Sequence, residues 1–354
     1  MCGILGSIST EDLNKEFDKA LLSLSHRGPD KMGTYSFAFH GKNGIFGHTR
    51  LKVIDLDDRS SQPFISKSGN TVTIYNGEIY NFTELKNLLP QFKWRTSSDT
   101  EVITELIEAY GDEVIERFNG IFAIAYLDLK RTKLKILRDK FGVKPLYFSI
   151  SKNNDIFFAS EIKALKQMKV DLSISEDDIF ESLNFGYVHE PNTGFKNIKK
   201  VMPGEIYTFS YNSFSKKKYN YIPHATAKYD NKILEKAIKD QTISDVPIGT
   251  FYSGGLDSSV IAASTNSDLL YIDQDSSLHH KEKNKALEFS NKLERKIFVS
   301  KALEKNKSLI QIADDVAMGI EEPICDMTFL NSKELSRIAK EKNFTVMLSG
   351  MGAD

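Results

Sequence analysis

Apolar and polar positions alternate with two different periods along this chain, and the pattern changes past its middle. Ile4–Ile8 is a short apolar run that reads as a strand, after which Leu13, Phe17, Leu21 and Leu24 recur at helical spacing. Thr34–Phe39 and Ile45–His48 flank Gly41-Lys-Asn-Gly44, which predicts a hairpin. Thr71–Tyr75 is a β-branched strand running into Asn76-Gly77. Asp99 is placed as a helix N-cap, with Val102, Ile103, Leu106, Ile107 and Tyr110 forming the buried face behind it. Ile121–Leu127, Leu134–Leu137, Leu146–Ile150 and Ile156–Ala159 complete a strand-rich block, the pattern of sheets packed together with helices outside them.

Tyr207–Asp230, rich in Lys, Tyr, Ser and Asn, has weak periodicity and reads as a linker with some strand content. Beyond it the pattern becomes strand–helix–strand. Ile248–Tyr252, Leu269–Ile272, Ile297–Val299 and Thr345–Leu348 are short apolar strands, separated by helical stretches such as Asn284–Leu293. That alternation predicts a parallel, doubly wound α/β sheet. Two domains are expected, at 2–210 and 211–354. The chain stops at Asp354, just after a strand and a Gly-containing turn, so the second domain reads as truncated.

Composition excludes more than it identifies. A length of 354 residues suits about two domains. With 40% hydrophobic and 27% charged residues the chain has a globular balance, and a net charge of −1 leaves no basic footprint for nucleic acid. No apolar run reaches the length of a membrane span, and no basic-then-apolar leader is present. Cys2 and Cys325 share no metal-ligand spacing and suggest no disulfide framework. A cytoplasmic protein is expected, without nucleic-acid or membrane partners.

Two stretches carry chemistry. Cys2 stands directly behind Met1, and removal of Met1 would give one residue both a thiol and a free α-amino group. A thiol needs a nearby base. An α-amino group, with a reference pKa of roughly 7.7–8.0, titrates where a general base works best. The alternative is a cysteine that merely sits near a terminus. The second stretch is Ser253-Gly-Gly-Leu-Asp-Ser-Ser259, between the strand Ile248–Tyr252 and an apolar helical start. Its glycines, hydroxyls and helix-start N–H groups suit an anion such as a phosphate, and Asp257 suits Mg²⁺. The alternative there is a plain Ser/Gly turn.

These residues together resemble the glutamine-hydrolysing asparagine synthetase family. The matching stretches include Met1-Cys-Gly-Ile4, His26-Arg-Gly-Pro-Asp30, Gly47-His-Thr-Arg-Leu51, Tyr75-Asn-Gly-Glu-Ile-Tyr-Asn81, Ser98-Asp-Thr-Glu-Val102 and Arg138-Asp-Lys-Phe-Gly-Val-Lys-Pro-Leu-Tyr147. Ala159-Ser-Glu-Ile-Lys-Ala164, Met202-Pro-Gly-Glu205 and the Ser253–Ser259 loop follow in family order. The resemblance implies an αββα sandwich of the N-terminal-nucleophile type carrying a class II glutamine amidotransferase. A PP-loop domain that splits ATP would follow it. It assigns Cys2, Asn76 and Gly77 to catalysis, the last two as oxyanion donors. Arg50, Val53, Ile54, Asn76, Gly77, Glu78 and Asp99 are assigned to glutamine. Tyr252, Ser253, Gly254, Gly255, Asp257, Ser258, Ser259, Ile272, Ser349 and Gly350 are assigned to ATP, and Asp257 and Asp354 to Mg²⁺. His26, Arg27 and His48 are read as scaffold.

The implied reaction hydrolyses glutamine and passes ammonia to an ATP-activated carboxylate, converting aspartate to asparagine in that family. Met351 departs from the pattern, because an acidic residue is usual there. This leaves open a sugar uronate or another non-aspartate carboxylate as acceptor. A non-catalytic nucleotide-binding remnant in the second domain is the third reading. A homodimer is compatible with all three.

Overall fold

The computed structural model describes residues 1–211, 213–219, 230–273, 280–301, 308, 310–311, 314, 317, 319–325 and 328–352. They form two compact units, Met1–His224 with Glu321–Cys325, and Ala225–Ile320 with Asp326–Asp354.

The first unit opens with β1 (Gly3–Ser9), α1 (Asn14–Ser23), β2 (Lys31–Phe39), β3 (Lys42–Arg50), β4 (Phe64–Ile65) and β5 (Thr71–Ile79). Then come α2 (Phe82–Leu85), α3 (Asp99–Tyr110), β6 (Gly120–Asp128), β7 (Lys133–Arg138), β8 (Tyr147–Ile150) and β9 (Ile156–Ala159). It continues through α4 (Ile162–Gln167), α5 (Glu176–Phe185), β10 (Lys199–Lys200), β11 (Glu205–Ser210) and β12 (Ser213–Lys218). Two antiparallel sheets result, ordered β10-β8-β9-β1-β3-β2 and β12-β11-β7-β6-β5-β4.

Strand alternation explains their stacking. Ile4, Ile8 and Phe46 from one sheet meet Val72, Ile74, Ala123 and Ala125 from the other in a shared core. The intervening positions face outward. Leu5 packs with Phe17 and Leu21 of α1 and Leu165 of α4, while Tyr75, Phe122 and Ile124 pack with Val102, Ile103 and Leu106 of α3. The layering is αββα, as expected.

Three local details differ from the sequence reading. The hairpin turns on two residues, His40-Gly41, with φ of 48° and 82°, and Lys42 already belongs to β3. Asp99 is not the cap of α3: Ser98 caps it through Thr100 N, and Asp99 is the first helical residue with its carboxylate turned inward. Tyr207–Asp230 is less linker than expected, since β11 and β12 extend the second sheet before residues 220–229, which lie outside the described set. β12 is exposed along its whole length.

The second unit contains α6 (Asn231–Asp240), β13 (Ile248–Phe251), α7 (Leu256–Ser264), β14 (Asp268–Asp273), α8 (His280–Lys292), β15 (Ile297–Lys301), α9 (Thr328–Glu341) and β16 (Val346–Leu348). Its sheet, ordered β15-β14-β13-β16, is parallel throughout. Ala262 of α7 and Ala286 of α8 pack with Leu269 and Tyr271 on one face. Ile338 and Ala339 of α9 pack with Leu270 on the other, which makes the sheet doubly wound. Among the described residues, no helix is long and apolar enough to cross a membrane.

Candidate functional site

The first cluster lies at one end of the layer between the two antiparallel sheets. Cys2 continues the inward row Ile4–Ile8 of β1, and Asn76 continues the inward row Val72–Ile74 of β5. Packing alone would put apolar side chains at both places. Instead Cys2 Sγ donates to Leu51 O at 3.7 Å and accepts from Leu51 N at 3.4 Å. Asn76 is 1% exposed, and its amide nitrogen Nδ2 is buried with no hydrogen-bond partner. A buried donor left unmatched costs free energy, so it marks a place where a ligand atom belongs.

Gly77 sits beside it for a steric reason. A Cβ there would lie 2.1 Å from Ile121 O on β6, so no larger residue fits without moving the neighbouring strand. His48, wholly buried, reaches across from β3 to Tyr75 O at 3.1 Å. Burial lowers its pKa to about 3, so it stays neutral and acts as a bridge between the sheets.

Charged groups ring this end. Burial pushes the Cys2 thiol up, while the α-ammonium and Arg50 pull it back. The α-ammonium of Met1 is itself lowered to about 6, chiefly by burial. Glu78 is raised well above the usual carboxylate range by burial and then by Asp99, with Lys144 and the α-ammonium opposing. Asp99 is also raised by burial, against hydrogen bonds from Tyr75 Oη at 2.9 Å and Ile79 N at 3.2 Å.

Arg50 is buried, and both its terminal nitrogens face the loop that follows β3. Nη1 donates to Asp57 O at 2.7 Å, while Nη2 donates to Asp55 O and, at 3.4 Å, to Ile54 O. Val53 and Ile54 are half-buried in that same loop. Ser97 N donates to Asp55 Oδ2 at 2.7 Å, which pins the loop to the start of α3 beside Asp99.

The second cluster is a cavity of about 440 Å³ at the carboxyl ends of the parallel strands. Tyr252, Ser253, Gly255, Asp257, Ser258, Ile272, Ser349 and Gly350 line it, joined by Tyr271, Glu282, Asn331, Leu335 and Met351. Ser253 Oγ lies 3.1 Å from Ser258 Oγ and accepts from Gly255 N at 3.2 Å, which shapes the turn into α7. Gly350 brings the second loop against that turn, since a Cβ there would meet Asp257 Cβ at 2.9 Å and Ser258 N at 3.1 Å. Gly254 and Ser259 belong to the same strand-to-helix connection without lining the cavity. Tyr252 has a buried hydroxyl with no partner. Asp257 is exposed, and Asp354 lies outside the described residues.

The family profile described as a glutamine amidotransferase domain matches residues 1–220. The chain belongs to that family. A second profile, described as asparagine synthase, matches residues 231–354. The chain is 29% identical to asparagine synthetase [glutamine-hydrolyzing] 1 of Bacillus subtilis, over 100% of this chain and 58% of that protein. It is 33% identical to asparagine synthetase [glutamine-hydrolyzing] 3 of the same organism, over 74% of this chain and 45% of the relative. An Asparagus officinalis asparagine synthetase [glutamine-hydrolyzing] is 33% identical over 75% of this chain and 42% of its own length. The chain thus spans about half the length of these relatives.

Of the residues singled out from sequence, Cys2 feels the charges of Arg50 and Glu78, and Glu78 feels that of Asp99. Lys144 was missed. Burial lowers its pKa, and Glu78, Arg27 and Cys2 all act on its ammonium. Asp139 holds its loop, with Oδ2 accepting from Phe122 N and Lys144 N, both at 3.1 Å, and Phe122 pairs with Gly77 across β5 and β6. Arg138 Nε donates to Lys144 O at 2.8 Å. The Arg138–Tyr147 stretch was the available signal, because it stood out as a matching motif with no chemical task attached.

Proposed function

We propose that this amidotransferase hydrolyses glutamine at Cys2 and delivers the ammonia to a carboxylate activated with ATP. The observation that carries the first half is the unmatched buried amide of Asn76 at the end of the layer that Cys2 also faces. Cys2 Sγ attacks the side-chain amide carbon of glutamine as its proton passes through the base to the leaving nitrogen; ammonia departs, and water then cleaves the thioester to glutamate and returns the thiol. Asn76 Nδ2 and Gly77 N–H hold the oxyanion of the tetrahedral intermediate. Once Met1 is removed, the α-amine of Cys2 itself would be the base for the thiol, since an α-amine titrates close to neutral pH. Glu78 and Asp99 receive the α-ammonium of glutamine. That cation stabilises both as carboxylates and offsets their mutual repulsion. Arg50, whose terminal nitrogens now hold the carbonyls of the loop after β3, would take the α-carboxylate of glutamine in exchange for some of those contacts.

The second cavity suits a nucleotide triphosphate in size and lining. Ser253, Gly254, Gly255, Ser258 and Ser259 at the start of α7 would hold its phosphates, with Ser349 and Gly350 opposite and Tyr252 and Ile272 on the base side. Asp257, with Asp354, would hold Mg²⁺. ATP, when bound, supplies the activation of the acceptor carboxylate. The relatives are named for asparagine, which supports aspartate as the acceptor. Met351 lines the cavity without a carboxylate of its own.

Cys2→Ala should abolish ammonia release from glutamine, while Cys325→Ala, whose side chain is exposed, should leave most of it. Hydrolysis surviving in Cys2→Ala would remove the nucleophile from this reading. ATP–pyrophosphate exchange with aspartate, run beside a sugar uronate, identifies the acceptor.

A further inference from the structure

Five residues from the far part of the sequence, Glu321–Cys325, are built into the amidotransferase unit. Glu322 accepts from Tyr147 Oη at 2.6 Å and pairs with Lys200 Nζ at 2.8 Å. Cys325 N donates to Gly186 O at 2.8 Å. Glu321 accepts from the first two amides of α4, Ile162 N and, at 3.0 Å, Lys163 N. Both carboxylates are largely buried, and a buried carboxylate is tolerated only with partners, so these contacts are specific.

The start of α4 has an uncommon division of labour. The residue at its N-cap, Glu161, makes no capping hydrogen bond. Its carboxylate instead accepts from Arg27 Nη1 at 2.7 Å and pairs with Lys163 Nζ at 2.7 Å and His26 Nε2 at 3.1 Å, and Arg27 Nε donates to Cys2 O at 2.9 Å. Ser160 grips the same strand, exchanging bonds at 3.0 Å with Ile4 N and Ile4 O. The first amides of a helix need acceptors. Glu161 can stay on Arg27 because Glu321 takes those amides.

We propose that Glu321 is a positioning residue for Cys2, acting through the start of α4, Glu161 and Arg27. This rests on Cys2 being the glutaminase nucleophile. Without Glu321 the neighbouring Glu161 is drawn back to cap its own helix, Arg27 loses its carboxylate, and the backbone of Cys2 loses its anchor. The amidotransferase sequence alone therefore does not contain everything that places its thiol.

The test is Glu321→Ala in the full chain carrying Cys325→Ala, so that Cys2 is the single thiol. Alkylation of Cys2 by iodoacetamide should slow about tenfold, and glutaminase kcat should fall by a similar factor with KM within about twofold, as expected when a reacting atom is misplaced. Glu321→Gln keeps one acceptor oxygen and should restore part of both, at an unchanged melting temperature. If amide exchange at Ile162 and Lys163 rises in Glu321→Ala while alkylation stays at the parent rate, the proposal is overturned. Alkylation also separates this from the glutaminase reading. A parent chain that hydrolyses no glutamine refutes that reading, while the change in Cys2 alkylation still decides on Glu321.

Discussion

The two clusters are built in opposite ways. In the amidotransferase unit the reactive groups ride on sheet strands, with Asn76 and Gly77 on β5 and Cys2 at the head of β1. Their neighbours are fixed by register, as Gly77 is against Phe122. In the second unit they ride on the turn 252–255, the first turn of α7 and the loop 349–351, whose mutual order comes from a few serine hydrogen bonds and the close approach of Gly350. Each site holds an unmatched buried group, Asn76 Nδ2 in the first and the Tyr252 hydroxyl in the second, but the second is an open cavity with an exposed Asp257. A strand-borne site is preorganised for a transition state, whereas a loop-borne one takes much of its order from what it binds.

The largest effect that would break this contrast is at Asn76. Asn76→Ala should lower glutaminase kcat by about 10²–10³-fold, the usual consequence of losing one oxyanion donor, with KM little changed. Steady-state kinetics decides it, and a change in KM alone would show that the preorganised donor is no donor. Gly350→Ala tests the other side. Its Cβ would press on Asp257 and the Ser258 amide, so ATP affinity should drop by about tenfold while glutaminase rates hold, a loss typical of overpacking by one methyl group. Isothermal titration with ATP measures it; a coupled fall in glutaminase activity would mean the two sites are not separable.

A smaller effect sharpens the electrostatic half of the comparison. The Lys144 ammonium lowers the pKa of Glu78, against the raising effects of burial and Asp99, while the α-ammonium also lowers it. Lys144→Met removes one of the two lowering charges, so the Glu78 pKa rises. In the proposed binding mode Glu78 must be ionised to take the α-ammonium of glutamine, and the acid limb of kcat/KM should therefore move to higher pH. The loss should be several-fold on the acid side and shrink as pH rises. Lys144→Arg should restore the profile, and an unshifted limb would detach Lys144 from Glu78.

The sheets and helices were readable in the sequence because burial on one face imposes period two or 3.6. Ile4–Ile8 and Val102–Ile107 show it plainly, and the observed β1 and α3 match them. The parallel sheet was equally legible from short apolar runs between helical ones. What stayed hidden depends on contacts distant in sequence. Asp99 has the composition of an N-cap, yet Ser98 takes that task because Tyr75 and Ile79, some twenty residues earlier, claim the Asp99 carboxylate. Lys144 reads as one surface lysine among many until Asp139 folds its loop toward Phe122. Glu321 could not be placed at all, since no local pattern says that a carboxylate will cap a helix 159 residues away.

The outer strand of the second sheet has a consequence for crowding. β12 ends that sheet and presents Ser213–Lys218 to solvent, closing on three consecutive lysines. An unpaired strand edge is a template for another chain, and lysines are the usual guard against it. Lys216 and Lys217 lean toward Glu205 and Asp112, and a second β12 laid alongside in parallel register would bring three more positive charges against them. In-register, parallel stacking of copies through this edge is thus opposed by charge.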